Sequence, residues 1–171
     1  VLTQRLEGLE ASGLVVRRRL PPPASAQVYE LTEWGYEAEP IIKALGKWAA
    51  RSPAHDPTLP LSGTSLMLSF RTMFDSGKAE GMTARVGFRI GAETFVADVA
   101  GGMVHTARGD PEGSDLVLTG PASAIAAFVY GDVPLEALEA DGALAVDGDR
   151  EVAAAFANLF ELPPKAPVPA S

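Results

Sequence analysis

The chain has 171 residues, no cysteine and a formal net charge of −8. This length suits one ordinary domain or two small ones, and 47% hydrophobic residues are enough for a core, so wholesale disorder is excluded. The lack of cysteine removes disulfides, a thiolate nucleophile and Cys-based zinc sites, and no apolar run approaches the ~20 residues that span a bilayer, so no membrane partner is expected.

The charge is unevenly divided. Residues 1–51 hold seven Lys or Arg against six Glu, a net +1, which leaves −9 for the remainder. An acidic C-terminal part repels nucleic acid, so any contact with DNA falls to the N-terminal part. The N-terminus lacks the charged-then-apolar pattern of a secretory signal, and a reducing, cytoplasmic setting is the simplest expectation. The first residue is Val1 rather than Met and the apolar pattern is already running at Leu2, so the sequence reads as a fragment with its upstream part missing.

Leu2, Leu6 and Leu9 follow the i, i+4, i+7 spacing of one helical stripe, and Gly13 is a plausible stop. Thr3, Gln4 and Arg5 fall largely off that stripe. In a recognition helix such side chains face the major groove, where Gln and Arg pair with base edges; the alternative is a solvated helix face. Residues 14–20 and 27–32 then flank a Pro/Ser/Ala stretch, which predicts a hairpin with a stiff tip that Pro21, Pro22 and Pro23 keep out of the ladder. Arg17, Arg18 and Arg19 stand at its base, where they can meet a phosphate backbone or simply form a solubilising strand edge.

Thr32 can cap the next helix, in which Trp34, Ile41, Leu45 and Trp48 recur at helical spacing, with Pro40 kinking or restarting it. This apolar surface fits a dimer contact or packing against the chain's own second domain. The run Leu2-Thr-Gln-Arg-Leu, the Arg-Arg-Arg-Leu that follows it, and Val28-Tyr-Glu-Leu-Thr-Glu-Trp-Gly35 together resemble HxlR-type winged-helix transcriptional regulators over roughly residues 1–51. The resemblance implies a dimer that binds double-stranded DNA, with the helix of Thr3, Gln4 and Arg5 in the major groove and the wing on the backbone. The family's first helices, upstream of the recognition helix, have no counterpart here.

Residues 52–65 read as a Pro-rich linker containing His55. Beyond it, Leu66, Phe70, Met73 and Phe74 mark a helix, and strand-like runs at 84–90, 93–99, 103–107 and 115–118 predict an antiparallel meander of about four strands. Pro121 and Pro134 open helices, Leu144 and Val146 alternate as a last strand, and Asp149 can cap a final helix holding Phe156. From residue 163 the tail is Pro/Ala-rich and expected to fray. The order helix, meander, helices, strand, helix is an α+β plan: a partial winged helix-turn-helix followed at 66–162 by a mainly antiparallel sheet covered by helices.

Residues 116–120, 142–149 and 156–159 resemble the sterol-carrier-protein-like domain, and the resemblance extends over roughly 62–162. It implies an apolar cavity for a lipid or other hydrophobic small molecule. Phe70, Phe74, Phe128 and Phe156 lie on the helices that would cover the sheet and are the candidate cavity wall, although such residues also simply fill cores.

Catalytic signals are lacking. His55 and His105 sit in different contexts with no H-x-x-x-H spacing, so no metal or other cofactor is expected. There is no nucleophile elbow, and Gly101-Gly102 reads as a turn rather than a phosphate cradle. The expected function is therefore a non-enzymatic, DNA-binding regulator with a hydrophobic effector. The alternative is a lipid-binding module whose winged helix is a dimer scaffold.

Overall fold

A computed structural model of the chain describes residues 1–22, 25–56 and 59–168. Pro23 and Ala24 of the expected tip, Pro57 and Thr58 of the expected linker, and 169–171 of the expected tail lie outside the described residues. The chain divides into two units, Val1–Leu45 and Gly46–Ser171.

In the first unit, helix α1 (Leu2–Ala11) leads through Gly13, at φ +75°, into an antiparallel hairpin of β1 (Val15–Arg19) and β2 (Gln27–Leu31). Glycine takes this left-handed conformation without steric cost, which lets the chain turn sharply out of the helix. The Thr32 hydroxyl accepts a bond from the Gly35 amide at 3.0 Å and so caps the short helix α2 (Glu33–Tyr36). Helix α3 (Glu39–Ala50) follows, with Pro40 in its first turn, where a missing N–H costs nothing. The proline therefore restarts the helix rather than kinking it.

The second unit takes in α3 from Gly46 onward and continues with α4 (Gly63–Met73), capped by Ser62, whose hydroxyl accepts from the Ser65 amide at 3.1 Å. This helix begins three residues before the predicted Leu66. A Cβ on Gly63 would stand 2.5 Å from the Phe95 ring, so a residue that looks like linker glycine is a helix start pressed flat on the sheet.

The sheet contains β3 (Ala84–Ile90), β4 (Glu93–Ala100), β5 (Met103–Arg108), β6 (Leu116–Thr119) and β7 (Ala145–Gly148), in the order β5-β4-β3-β6-β7. The predicted four-stranded meander is corrected here. Only β3, β4 and β5 form one; β6 returns across the sheet and pairs parallel to β3, Gly87 opposite Val117. The returning loop passes over Gly87, where a Cβ would lie 2.4 Å from that of Pro111. The absent side chain makes room for the crossover.

Helices α5 (Ala122–Tyr130), α6 (Leu135–Ala140) and α7 (Arg150–Ala157) complete the unit. Pro121 and Pro134 are the N-cap residues rather than members of the first turn, and Asp149 caps α7 by accepting from the Glu151 amide at 2.8 Å. Alternation sends Val86 and Phe88 of β3, and Phe95, Ala97 and Val99 of β4, into the core. The predicted tail is held along part of its length. The Ala166 amide donates to the Arg51 carbonyl at 2.7 Å, and Lys165 Nζ donates to the Ala50 carbonyl at 3.0 Å. A cation at exposed C-terminal carbonyls of a helix is favourably placed.

Candidate nucleic-acid interface

Helix α1 carries no buried residue, and Thr3, Gln4 and Arg5 are all exposed on it. Their side chains leave the helix free to meet a partner with hydroxyl, amide and guanidinium groups, which can read base edges. Leu2 and Leu9 of the apolar stripe are also exposed. Val15 is the one buried large hydrophobic residue of the described first unit.

The hairpin register separates the three arginines. Arg17 stands opposite Tyr29 and on the same face as Val15 and Leu31; Arg18 stands opposite Val28 and shares the other face with Glu30. On the first face, Arg17 Nη2 donates to Glu10 Oε2 at 3.0 Å and to Tyr29 Oη at 2.8 Å, with the guanidinium carbon 5.1 Å from the Tyr29 ring centre. The Glu10 carboxylate, and then Tyr29, hold the Arg17 guanidinium protonated above the usual arginine range. On the second face Arg18 Nε pairs with Glu30 Oε2 at 2.8 Å between well-exposed side chains. Arg19 is exposed, and no ion pair engages it among the described residues. Glu10 and Tyr29 were not singled out in the sequence. The one available signal was the hairpin alternation, which puts Tyr29 beside Arg17 once the register is known.

Helix α3 exposes the residues proposed for dimerisation: Ile41 is 69% exposed, Leu45 55% and Trp48 72%, while Trp34, on α2, is 56% exposed. The candidate cavity residues separate. Phe70 and Phe156 are fully buried with ring centres 5.4 Å apart, and Phe160 stacks within 4.7 Å of Phe70 and 4.8 Å of Phe156. Phe88 closes the group at 5.6 Å from Phe70. These rings fill one another's space, the core role open to any such apolar residue. Phe128 is half-buried against the core. Phe74 is half-buried too and lines an open cleft of about 360 Å³ with Lys47, Met73, Leu162 and Pro163. His55 and His105 are both exposed and far apart in the chain. Among the described residues no three His, Cys, Asp or Glu converge in a way that could hold a metal ion. No helix of the described residues is long and apolar enough to cross a membrane.

Residues 1–56 match the family of HxlR-like helix-turn-helix proteins. No curated protein sequence matches the chain. Among solved structures, a stereoselective inverting sec-alkylsulfatase from Pseudomonas sp. is similar at 14% identity and a TM-score of 0.54, over 59% of this chain and 16% of that one. The chain thus spans under a fifth of the sulfatase's length, and the likeness is one of fold. A UbiJ-SCP2 ubiquinone synthesis protein is similar at 14% identity and a TM-score of 0.42, over 74% of this chain and 95% of that one. The sterol carrier protein-2 of Aedes aegypti, solved with palmitate, is similar at 17% identity and a TM-score of 0.41, over 55% and 96% of the two chains.

Proposed function

We propose that the protein is a non-enzymatic, DNA-binding transcriptional regulator that works as a homodimer. The observation that carries this reading is the pairing of an exposed polar helix with a basic hairpin inside the segment that matches HxlR-like helix-turn-helix proteins. In this reading Thr3, Gln4 and Arg5 meet base edges, and phosphate contacts come from within the wing's arginine triplet. Trp34, Ile41, Leu45 and Trp48 form the dimer contact, since exposed apolar surface of this kind is commonly covered by a partner. The second unit, with its excess of acidic groups, stays off the DNA and carries the effector function.

A hydrophobic small molecule is the proposed effector. The cleft beside Phe74 is the proposed seat: Met73, Leu162 and Pro163 give it an apolar wall, and Lys47, Asp75 and Glu161 give it a charged rim that suits a hydrophobic molecule with a polar end. A ligand there regulates DNA binding only if it prefers one arrangement of the dimer over another.

Fluorescence anisotropy with a labelled duplex from the DNA upstream of the protein's own gene tests the reading, against a random duplex of equal length. Binding to the upstream duplex should be tighter, and log K should fall with log salt with a slope of ~0.9 per neutralised phosphate. Equal affinity for both duplexes at physiological salt overturns the proposal. Native mass spectrometry of the purified protein examines the second reading, a hydrophobe-binding module with a winged-helix scaffold. A co-purified apolar ligand without any DNA binding favours that module.

A further inference from the structure

The arginine triplet invites the assumption that all three side chains do the same work on DNA. Their surroundings say otherwise. Both hydrogens of Arg17 Nη2 are used inside the protein, one by Glu10 in the last turn of α1 and one by the Tyr29 hydroxyl on β2. The guanidinium also lies 5.1 Å from the Tyr29 ring centre, an arrangement in which the cation is attracted to the ring face. A phosphate can recruit Arg17 only by competing with a carboxylate that already neutralises it. The Arg18–Glu30 pair is different. Its side chains are 64% and 43% exposed against 36% for each of Arg17 and Glu10, and no tyrosine among the described residues shares the guanidinium, so a phosphate replaces Glu30 at lower cost than it replaces Glu10. Arg19 has no such partner to give up among the described residues.

The same contacts give Arg17 another task. Helix α1 has no fully buried residue to fix its rotation, only the half-buried Leu6 and Glu10, and the chain between it and β1 turns through Gly13 at φ +75°. Arg17 reaches back across that turn, seven residues, to Glu10, and across the hairpin, twelve residues, to Tyr29. One side chain therefore touches all three elements of the reading unit: α1, β1 and β2. A displacement of α1 of about 1 Å misplaces base-edge contacts, since these hydrogen bonds weaken steeply with geometry.

We propose that Arg17 is a positioning residue that holds α1 in register with the hairpin through Glu10 and Tyr29, and that the phosphate contacts of the triplet belong to Arg18 and Arg19. This rests on the reading of the first unit as a DNA-binding element.

The test compares salt slopes and specificity in the full chain. Arg19→Ala should weaken binding to upstream and random duplexes alike and lower the salt slope by ~0.9. Arg17→Ala should leave the slope unchanged and lower the preference for the upstream duplex by about tenfold, because base contacts rather than phosphate contacts are lost. Tyr29→Phe and Glu10→Gln are milder variants should Arg17→Ala fail to fold, and both should lose specificity without a change of slope. The charge swap Glu10→Arg with Arg17→Glu should recover part of the specificity, which loss of a phosphate contact cannot do. A slope lowered by ~0.9 in Arg17→Ala, or unaltered specificity in Tyr29→Phe and Glu10→Gln, overturns the assignment. If the unaltered protein fails to distinguish the duplexes, the DNA-binding reading itself fails and takes this assignment with it. That outcome is separate, because it appears before any substitution is made.

Discussion

The Thr32 hydroxyl donates to the Gly13 carbonyl at 2.7 Å while accepting from the Gly35 amide at 3.0 Å. One side chain thereby joins the end of α1 to the start of α2. Gly35 completes the junction, since a Cβ there would lie within 2.2 Å of the Leu14 carbonyl oxygen. Thr32→Ala should cost about 1–2 kcal/mol through the lost cap, and Gly35→Ala should cost more, because backbone has to move. Amide hydrogen exchange over residues 14–35 measures this directly. Faster exchange is expected there in both variants, with the amides of the five-stranded sheet unaltered. Equal protection in Gly35→Ala would show that the junction adapts.

Gly87 makes the parallel pairing of β3 and β6 possible. Added volume at that position meets Pro111 at 2.4 Å and Ser114 Oγ at 3.0 Å. Gly87→Ala should destabilise the second unit by about 1–3 kcal/mol, the usual cost of overpacking. Urea unfolding followed by circular dichroism measures it, and an unshifted midpoint would mean that the crossover loop yields freely.

Tyr130 introduces an alkaline limit on stability. Burial pushes its phenol well above the ordinary tyrosine range, and the 2.8 Å bond with Ser69 only partly opposes this. The folded state thus holds the proton more tightly than the unfolded chain does. The contribution is fully present below the unfolded value of about 10 and is lost as pH rises beyond it, by up to ~1.4 kcal/mol per pH unit. Urea midpoints at about pH 8 and about pH 11 should diverge more in the unaltered protein than in Tyr130→Phe, whose ring cannot ionise. Equal divergence would show that other groups govern the alkaline limit.

Helix α3 predicts the assembly state. Ile41, Leu45 and Trp48 recur on one stripe and are all more than half exposed. Light scattering during gel filtration should give twice the mass of one chain, and Ile41→Asp with Trp48→Glu should give the single-chain mass, since charges in an apolar contact stay unpaired. A single-chain mass before substitution removes the dimer contact.

What could be read without coordinates is what short stretches of chain impose on themselves. Thr32 and Asp149 announce their caps because a hydroxyl or carboxylate bonds amides two or three residues away. Gly91, Gly101 and Gly102 announce tight turns because they take φ values of +57° to +72° that other residues resist. The basic hairpin and the α+β plan follow from such local rules together with apolar periodicity. Spatial partnership obeys no local rule. Nothing near residues 116–119 records that they lie parallel to β3, because that pairing depends on a loop crossing a glycine some thirty residues earlier. Phe160 completes the ring cluster from the end of the chain, and three adjacent arginines acquire different roles from Glu10, Glu30 and Tyr29. Backbone preference acts over a few residues, whereas burial and ion pairing act over distance in space, and only the folded chain brings the two scales together.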